Sequence, residues 1–297
     1  MIEVEIDATF VEAALDYLWD RSEARLGKIF DHEAAKGVHS HAERFGNTDD
    51  TLEGFWRKIL SHESKHKADH LKRIRSNLDF IKTNDLVFQR AFNETATYLP
   101  AVLRLRTKLY LIIGYDIGIA SEGNAYLNVG HPHFGDDGRE LLYFSMHEVH
   151  HVGFTRHNPI YSLESLRTSS DLIRAIEYST HLEGLAVYSS YERRTIEEGL
   201  GHVDYWILND ARERERVTGE FFGALKGLEE EPDRPLEEAD FEVLEQMGGG
   251  NRLWYVAGAH MAQEIDEGLG REALTQTVVD GPNSFFEAYT RALAKRG

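Results

Sequence analysis

Apolar positions recur at helical spacing over most of the chain. Phe10, Ala13, Ala14, Leu15 and Leu18, then Ala24, Leu26, Ile29 and Phe30, lie three or four residues apart and predict a helix over 8–30. A polar stretch follows through Gly46 and Asn47. It ends at Asp49 and Asp50, placed to cap a helix starting near Thr51 whose narrow apolar edge is Leu52, Phe55, Trp56 and Ile59. Further helices are expected over 71–81 and 86–99, the second stopped by Pro100.

The texture then changes. The opening MIEVEID reads as a short strand, KLYLIIG (108–114) is a run of β-branched and aromatic residues, and NAYLNVG (124–130) alternates; the last two read as strands joined by a glycine-containing loop. Helical spacing resumes over 138–153. Ser169, Ser170 and Asp171 are the candidate caps of a long helix over 172–198, and another helix is expected over 204–228. A short apolar segment, 241–247, runs into three glycines, and helices follow over 253–267, over 271–279 and from about 284. The pattern predicts a mainly α (α+β) fold: a helical N-terminal region, 1–105, ahead of a region 106–297 that carries a small central sheet, in one continuous globular unit.

Composition narrows the chemistry. Among 297 residues, 33 basic against 51 acidic side chains leave a net charge of -18. Nucleic-acid binding rests on a basic footprint that displaces counterions, so no nucleic-acid partner is expected. The chain has no cysteine, so any transition-metal site must be built from its His, Asp and Glu side chains. The acidic first residues lack the form of a signal peptide and no apolar run reaches the length of a membrane span, so the expectation is a soluble, cytoplasmic protein that does not contact membranes. Oligomeric state is not legible.

His147-Glu148-Val149-His150-His151 fits H-E-x-x-H on a predicted helix. Residues i and i+4 share a face, so both imidazoles can reach one ion, while the glutamate between them sits beside it, placed to take a proton from water. The pattern is short, and His62-Glu63-Ser64-Lys65-His66 fits it too. That match lies among Ser61, Lys65, Lys67 and Lys72 and reads as a polar exposed helix face. Around the second match, Leu141, Leu142, Tyr143, Phe144, Met146, Val149 and Val152 supply an apolar shell. A catalytic zinc takes three protein ligands and keeps one position open. Downstream, Glu183 lies in the apolar stretch 182–188 with small neighbours Ser179, Gly184 and Ala186, and a carboxylate there needs a charged partner. Glu177 and His181 form their own i, i+4 pair on another face and read as structural.

H-E-x-x-H followed by the helical Glu183-Gly184-Leu185-Ala186 resembles the gluzincin metallopeptidases, within them the predicted zinc-dependent bacterial peptidases, over roughly 109–191. The resemblance implies a zincin-like catalytic region. Zn2+ would be held by His147, His151 and Glu183, Glu148 would be the general base, and the substrate would be a peptide or protein. In that group a strand ahead of the zinc helix lines the cleft, and 124–129 stands in its place. A Tyr or His from a later helix stabilises the oxyanion, which makes Tyr255 and His260 the candidates here. His150 is expected to pack near the ligands, His157 lies in the following loop, and His131 and His133 flank Pro132 in a turn past the cleft strand.

Two rivals remain open. A di-iron carboxylate bundle would draw on Glu63 with His66, Glu148 with His151, and Glu94 and Glu183, but strands do not belong between its helices. A non-catalytic metal-binding module would gain nothing from Glu148.

Overall fold

Ile2 and Val4 are buried while Glu3 and Glu5 are exposed, the alternation of a strand with one face on a core. The structure is a computed structural model and describes residues 2–63, 68–135, 137–161 and 166–296. Among these, four strands and fourteen α-helices follow in order: β1 (Ile2–Asp7), α1 (Thr9–Trp19), α2 (Glu23–Asp31), α3 (Glu33–Arg44), α4 (Leu52–Glu63), α5 (Ala68–Thr83), α6 (Asp85–Thr95), β2 (Leu105–Ile112), β3 (Gly118–Ser121), β4 (Asn124–Asn128), α7 (Arg139–Thr155), α8 (Ser169–Ile196), α9 (Val203–Asn209), α10 (Ala211–Glu229), α11 (Glu238–Gly248), α12 (Leu253–Leu269), α13 (Arg271–Asp280) and α14 (Pro282–Arg296). The fold is mainly helical with one small sheet, the class the pattern predicts. No helix among the described residues is long and apolar enough to cross a membrane.

The chain forms two compact units, Met1–Glu94 with Arg104–Val152, and Thr95–Leu103 with Gly153–Gly297. The division expected after residue 105 falls at the start of β2. The first unit holds the sheet, in the order β1-β2-β4-β3, with β1, β2 and β4 parallel and β3 antiparallel to β4. Glu122 (φ +49°) and Gly123 (φ +74°) make the two-residue turn between β3 and β4, a hairpin geometry that requires left-handed backbone at both positions. The segment expected to line a cleft, 124–129, is therefore corrected: β4 is hydrogen-bonded on both sides, and among the described residues the sheet ends at β1 and at β3, the latter a strand too short and glycine-led to stand out in sequence.

Two other departures have plain causes. The helix expected over 8–30 breaks at Asp20–Ser22, giving α1 and α2, and α3 occupies a stretch read as polar. The buried face of α3 is Ala34, Ala35, Gly37, Val38, His39 and Ala42, small residues that carry little apolar signal yet let the helix lie close to the sheet. A Cβ on Gly37 would overlap the Tyr126 hydroxyl. Thr51, rather than Asp49 or Asp50, caps α4, its hydroxyl accepting from the Gly54 N–H at 3.2 Å. Trp56 on α4 donates its indole N–H to the Ala35 carbonyl at 3.1 Å, tying the two helices.

In the second unit, α8 begins at a capping box between Thr168 and Asp171. The helix expected over 204–228 is two, because Asp210 leaves helical geometry and caps α10 through the N–H groups of Arg212 and Glu213. Helices α8 and α12 cross with their main chains in contact. A Cβ on Gly184 would strike the Gly258 backbone, and one on Gly258 would strike the Thr180 carbonyl and lie 2.8 Å from the Gly184 Cα. The glycine of the Glu183-Gly184-Leu185-Ala186 segment is thus required by backbone-to-backbone contact.

Candidate metal centre

Helix α7 carries His147, Glu148, His150 and His151 within little more than one turn, with Leu141, Tyr143, Met146 and Val149 fully buried around them. The His147 and His151 rings stand 4.4 Å apart, nearly perpendicular, as side chains one turn apart on one face do. Glu183 on α8 completes a group: one ligand atom from each of His147, His151 and Glu183 lies within 4.8 Å of the other two. Donors 2.0–2.1 Å from one tetrahedral zinc sit roughly 3.4 Å apart, so the three atoms would draw together by up to about 1.4 Å around a shared ion. Two imidazoles and a carboxylate are a donor set that suits zinc and leaves a coordination position open. Among the described residues no other such group occurs.

Glu148 is 4% exposed. Its carboxylate lies against the first residue of β3: a Cβ added to Gly118 would come within 2.7 Å of Oε1 and 2.9 Å of Cγ. The absence of a side chain at Gly118 makes the room that Glu148 occupies. Nothing in the sequence announces this contact.

The two aromatic candidates on α12 have different surroundings. Tyr255 is half-buried, and burial first, then the negative charge of Glu183, push its phenol pKa up, opposed by Arg252. The Arg252 guanidinium lies over the Tyr255 ring, 3.6 Å from its centroid, and its Nε donates to Asp204 at 2.6 Å. His260 faces other groups. Its Nδ1 lies 3.3 Å from the Thr218 hydroxyl and its Nε2 is 3.5 Å from Glu264. Burial, then Arg214, lower its pKa, against Glu264. Tyr178 also feels the charge of Glu183 after burial, but its hydroxyl donates to the Asn158 carbonyl at 3.2 Å.

The remaining histidines sort by neighbourhood. His150 is fully buried. His131 accepts from the His133 N–H at 3.2 Å and so caps its own turn; burial, then His133, lower its pKa. His133 packs on the Phe144 ring at 5.0 Å, and Phe144 lies 6.5 Å from the His147 ring. His157 sits just past α7 in a turn closed by its N–H on the Phe154 carbonyl. His181 bonds to the Thr277 hydroxyl at 3.0 Å and stacks on Phe285. Its complete burial lowers its pKa to about 3. Burial and then Glu229 raise the pKa of Glu177.

In the first H-E-x-x-H match, His62 is exposed as expected, and His66 lies outside the described residues. Glu63 is not on a polar surface: it is 7% exposed and bonds to His70, which in turn accepts from Arg73 at 3.0 Å. That engagement, and the four-stranded sheet, give the di-iron arrangement no support among the described residues.

No curated protein and no solved structure matches this chain. A family model described as "Putative zinc dependent peptidase (DUF5700)" matches residues 30–297, which takes in the helix of His147 and His151 and the helix of Glu183. The chain belongs to the DUF5700 family of zinc-dependent peptidases.

Proposed function

We propose that this chain is a gluzincin-type metallopeptidase in which His147, His151 and Glu183 hold zinc and Glu148 is the general base. The observation that carries the reading is the approach of the three donors to within 4.8 Å of one another, with a buried glutamate one residue after the first. Bound zinc supplies Lewis acidity to the attacking water and the scissile carbonyl. Glu148 takes the proton of that water and delivers it to the leaving amine, a task that suits a carboxylate fixed against Gly118. Tyr255 donates its hydroxyl to the developing oxyanion. It supports this role better than His260 because its phenol lies close enough to Glu183 to feel its charge, whereas His260 is engaged with Thr218 and Glu264. The outer edge of β3, the end strand whose first residue lies against Glu148, offers backbone groups to an extended peptide, which would add to the sheet as a further strand.

Metal analysis of the purified protein, with peptide-library cleavage before and after chelation, tests the reading. One zinc per chain and cleavage abolished by chelator are expected. Glu148→Gln should keep its zinc and lose turnover by at least about 10²-fold. Zinc lost from that variant would give Glu148 the wrong role, and cleavage indifferent to chelation would remove the metal from the reaction.

A further inference from the structure

Arg252 occupies a position that its backbone does not favour. It holds φ +53° and ψ +31°, a left-handed conformation that glycine or asparagine adopts at lower cost. Gly248, Gly249, Gly250 and Asn251 stand immediately before it, so residues better suited to that backbone are at hand. The reason for an arginine lies in its side chain.

That side chain is held from two directions. Nε and one terminal nitrogen engage both carboxylate oxygens of Asp204, a residue 1% exposed, in a two-point fork. The flat face of the guanidinium covers the Tyr255 ring. Asp204 starts α9 and Tyr255 lies in the first turn of α12, so one arginine joins two helices through a ring that must not turn. A hydroxyl that stabilises developing charge is effective only if it is oriented before the reaction begins.

We propose that Asp204 and Arg252 are positioning residues that clamp the Tyr255 ring, one turn before the Gly258 backbone that meets Gly184, and so fix the direction of its hydroxyl. The inference rests on the role given above to Tyr255, and it adds what holds that residue in place. The planar fork and the stacking face are properties of a guanidinium that an ammonium lacks. Lysine at this position keeps the charge near Glu183 but cannot grip the ring.

Steady-state kinetics on Tyr255→Phe, Arg252→Lys, Asp204→Asn and the double variant Arg252→Lys/Tyr255→Phe test the clamp. Tyr255→Phe should lower kcat about 10²-fold, and Arg252→Lys about 10- to 100-fold with KM little changed. All variants should keep their zinc. The double variant should be no slower than Tyr255→Phe alone, because the clamp has no purpose once its hydroxyl is gone. Full activity in Arg252→Lys would show that charge alone matters, and losses that multiply in the double variant would show that Arg252 acts elsewhere; either overturns the proposal. A second measurement is independent of turnover. 3-Fluorotyrosine placed at position 255 should give one narrow 19F line in the native background, and a shifted or broadened line in both Arg252→Lys and Asp204→Asn. An unchanged line in both overturns the clamp. Should the native protein bind zinc and cleave no peptide, the peptidase reading fails, and the fluorine result alone decides whether the ring is held.

Discussion

Replacing Gly118 with alanine adds one methyl group to the protein, and adds it against the carboxylate of Glu148. The new Cβ would stand 2.7 Å from Oε1, 2.9 Å from Cγ and 3.0 Å from Cδ, where ordinary contact begins at 3.4 Å. The side chain must therefore yield by about 0.7 Å at the oxygen, and it can, because the atoms met belong to a side chain and not to backbone. Misplacement of a reacting group on the order of 1 Å costs roughly 10²-fold in rate, equivalent to about 2.7 kcal/mol of transition-state stabilisation. Stability should move little. Gly118 does not hold a left-handed φ, so alanine fits the backbone and restricts the unfolded chain, a gain of about 0.5 kcal/mol that offsets the displaced carboxylate. The assay is kcat on a cleaved peptide, with zinc content and the thermal midpoint measured on the same samples. Gly219→Ala is the control, since a Cβ there meets nothing within 4 Å. An alanine variant at 118 with native kcat would refute the placement of Glu148 against β3, and one that lost zinc would show that the perturbation spread to the ligands.

Gly258→Ala should behave in the opposite way, losing stability by about 2 kcal/mol: the methyl meets the Thr180 carbonyl and the Gly184 Cα, backbone that cannot swing aside, and overpacking outweighs the gain of about 1 kcal/mol in helix propensity. Urea denaturation checks this, and an unchanged midpoint would mean that α8 and α12 do not cross as closely as described. A pH effect is expected from His41, whose pKa burial and then the Arg44 charge lower to about 4. Its ring is neutral in the fold, so the unfolded chain binds the proton first as pH falls below the ordinary value of about 6.5. The stability it contributes is whole above that value, is lost at up to about 1.4 kcal/mol per pH unit on the way down to about 4, and is flat below. His41→Gln should remove this part of the slope, and a variant that keeps the full native slope between pH 7 and pH 4.5 would contradict the assignment.

The proposed metal ligands could be found in the sequence because their geometry is local or repeats at a fixed period. His147 and His151 announce themselves by spacing, and Glu183 by being a carboxylate in an apolar stretch. Long helices with large apolar residues were legible for the same reason. What escaped depends on contacts between residues far apart in the chain. Asp204 and Arg252 meet across 48 residues, and neither lies in a pattern that names the other. Gly118 owes its importance to an empty volume, which a sequence does not record. Helix α3 was hidden because its inner face is alanine, glycine and histidine rather than leucine, and β3 because four residues carry too little period. Glu63 reads as a surface residue until His70, seven positions on, is seen to bond to it.

At the crossing of α8 and α12 two main chains touch with no side chain between them. There is no rotamer there to relax, so a push on one helix is passed to the other undamped. Residue 183 and residue 255 then travel as parts of a single solid, and substitutions chosen to retune substrate choice have little scope along it. Variation has more freedom in the connections that frame it, such as Gly250, where an added Cβ meets nothing within 4 Å.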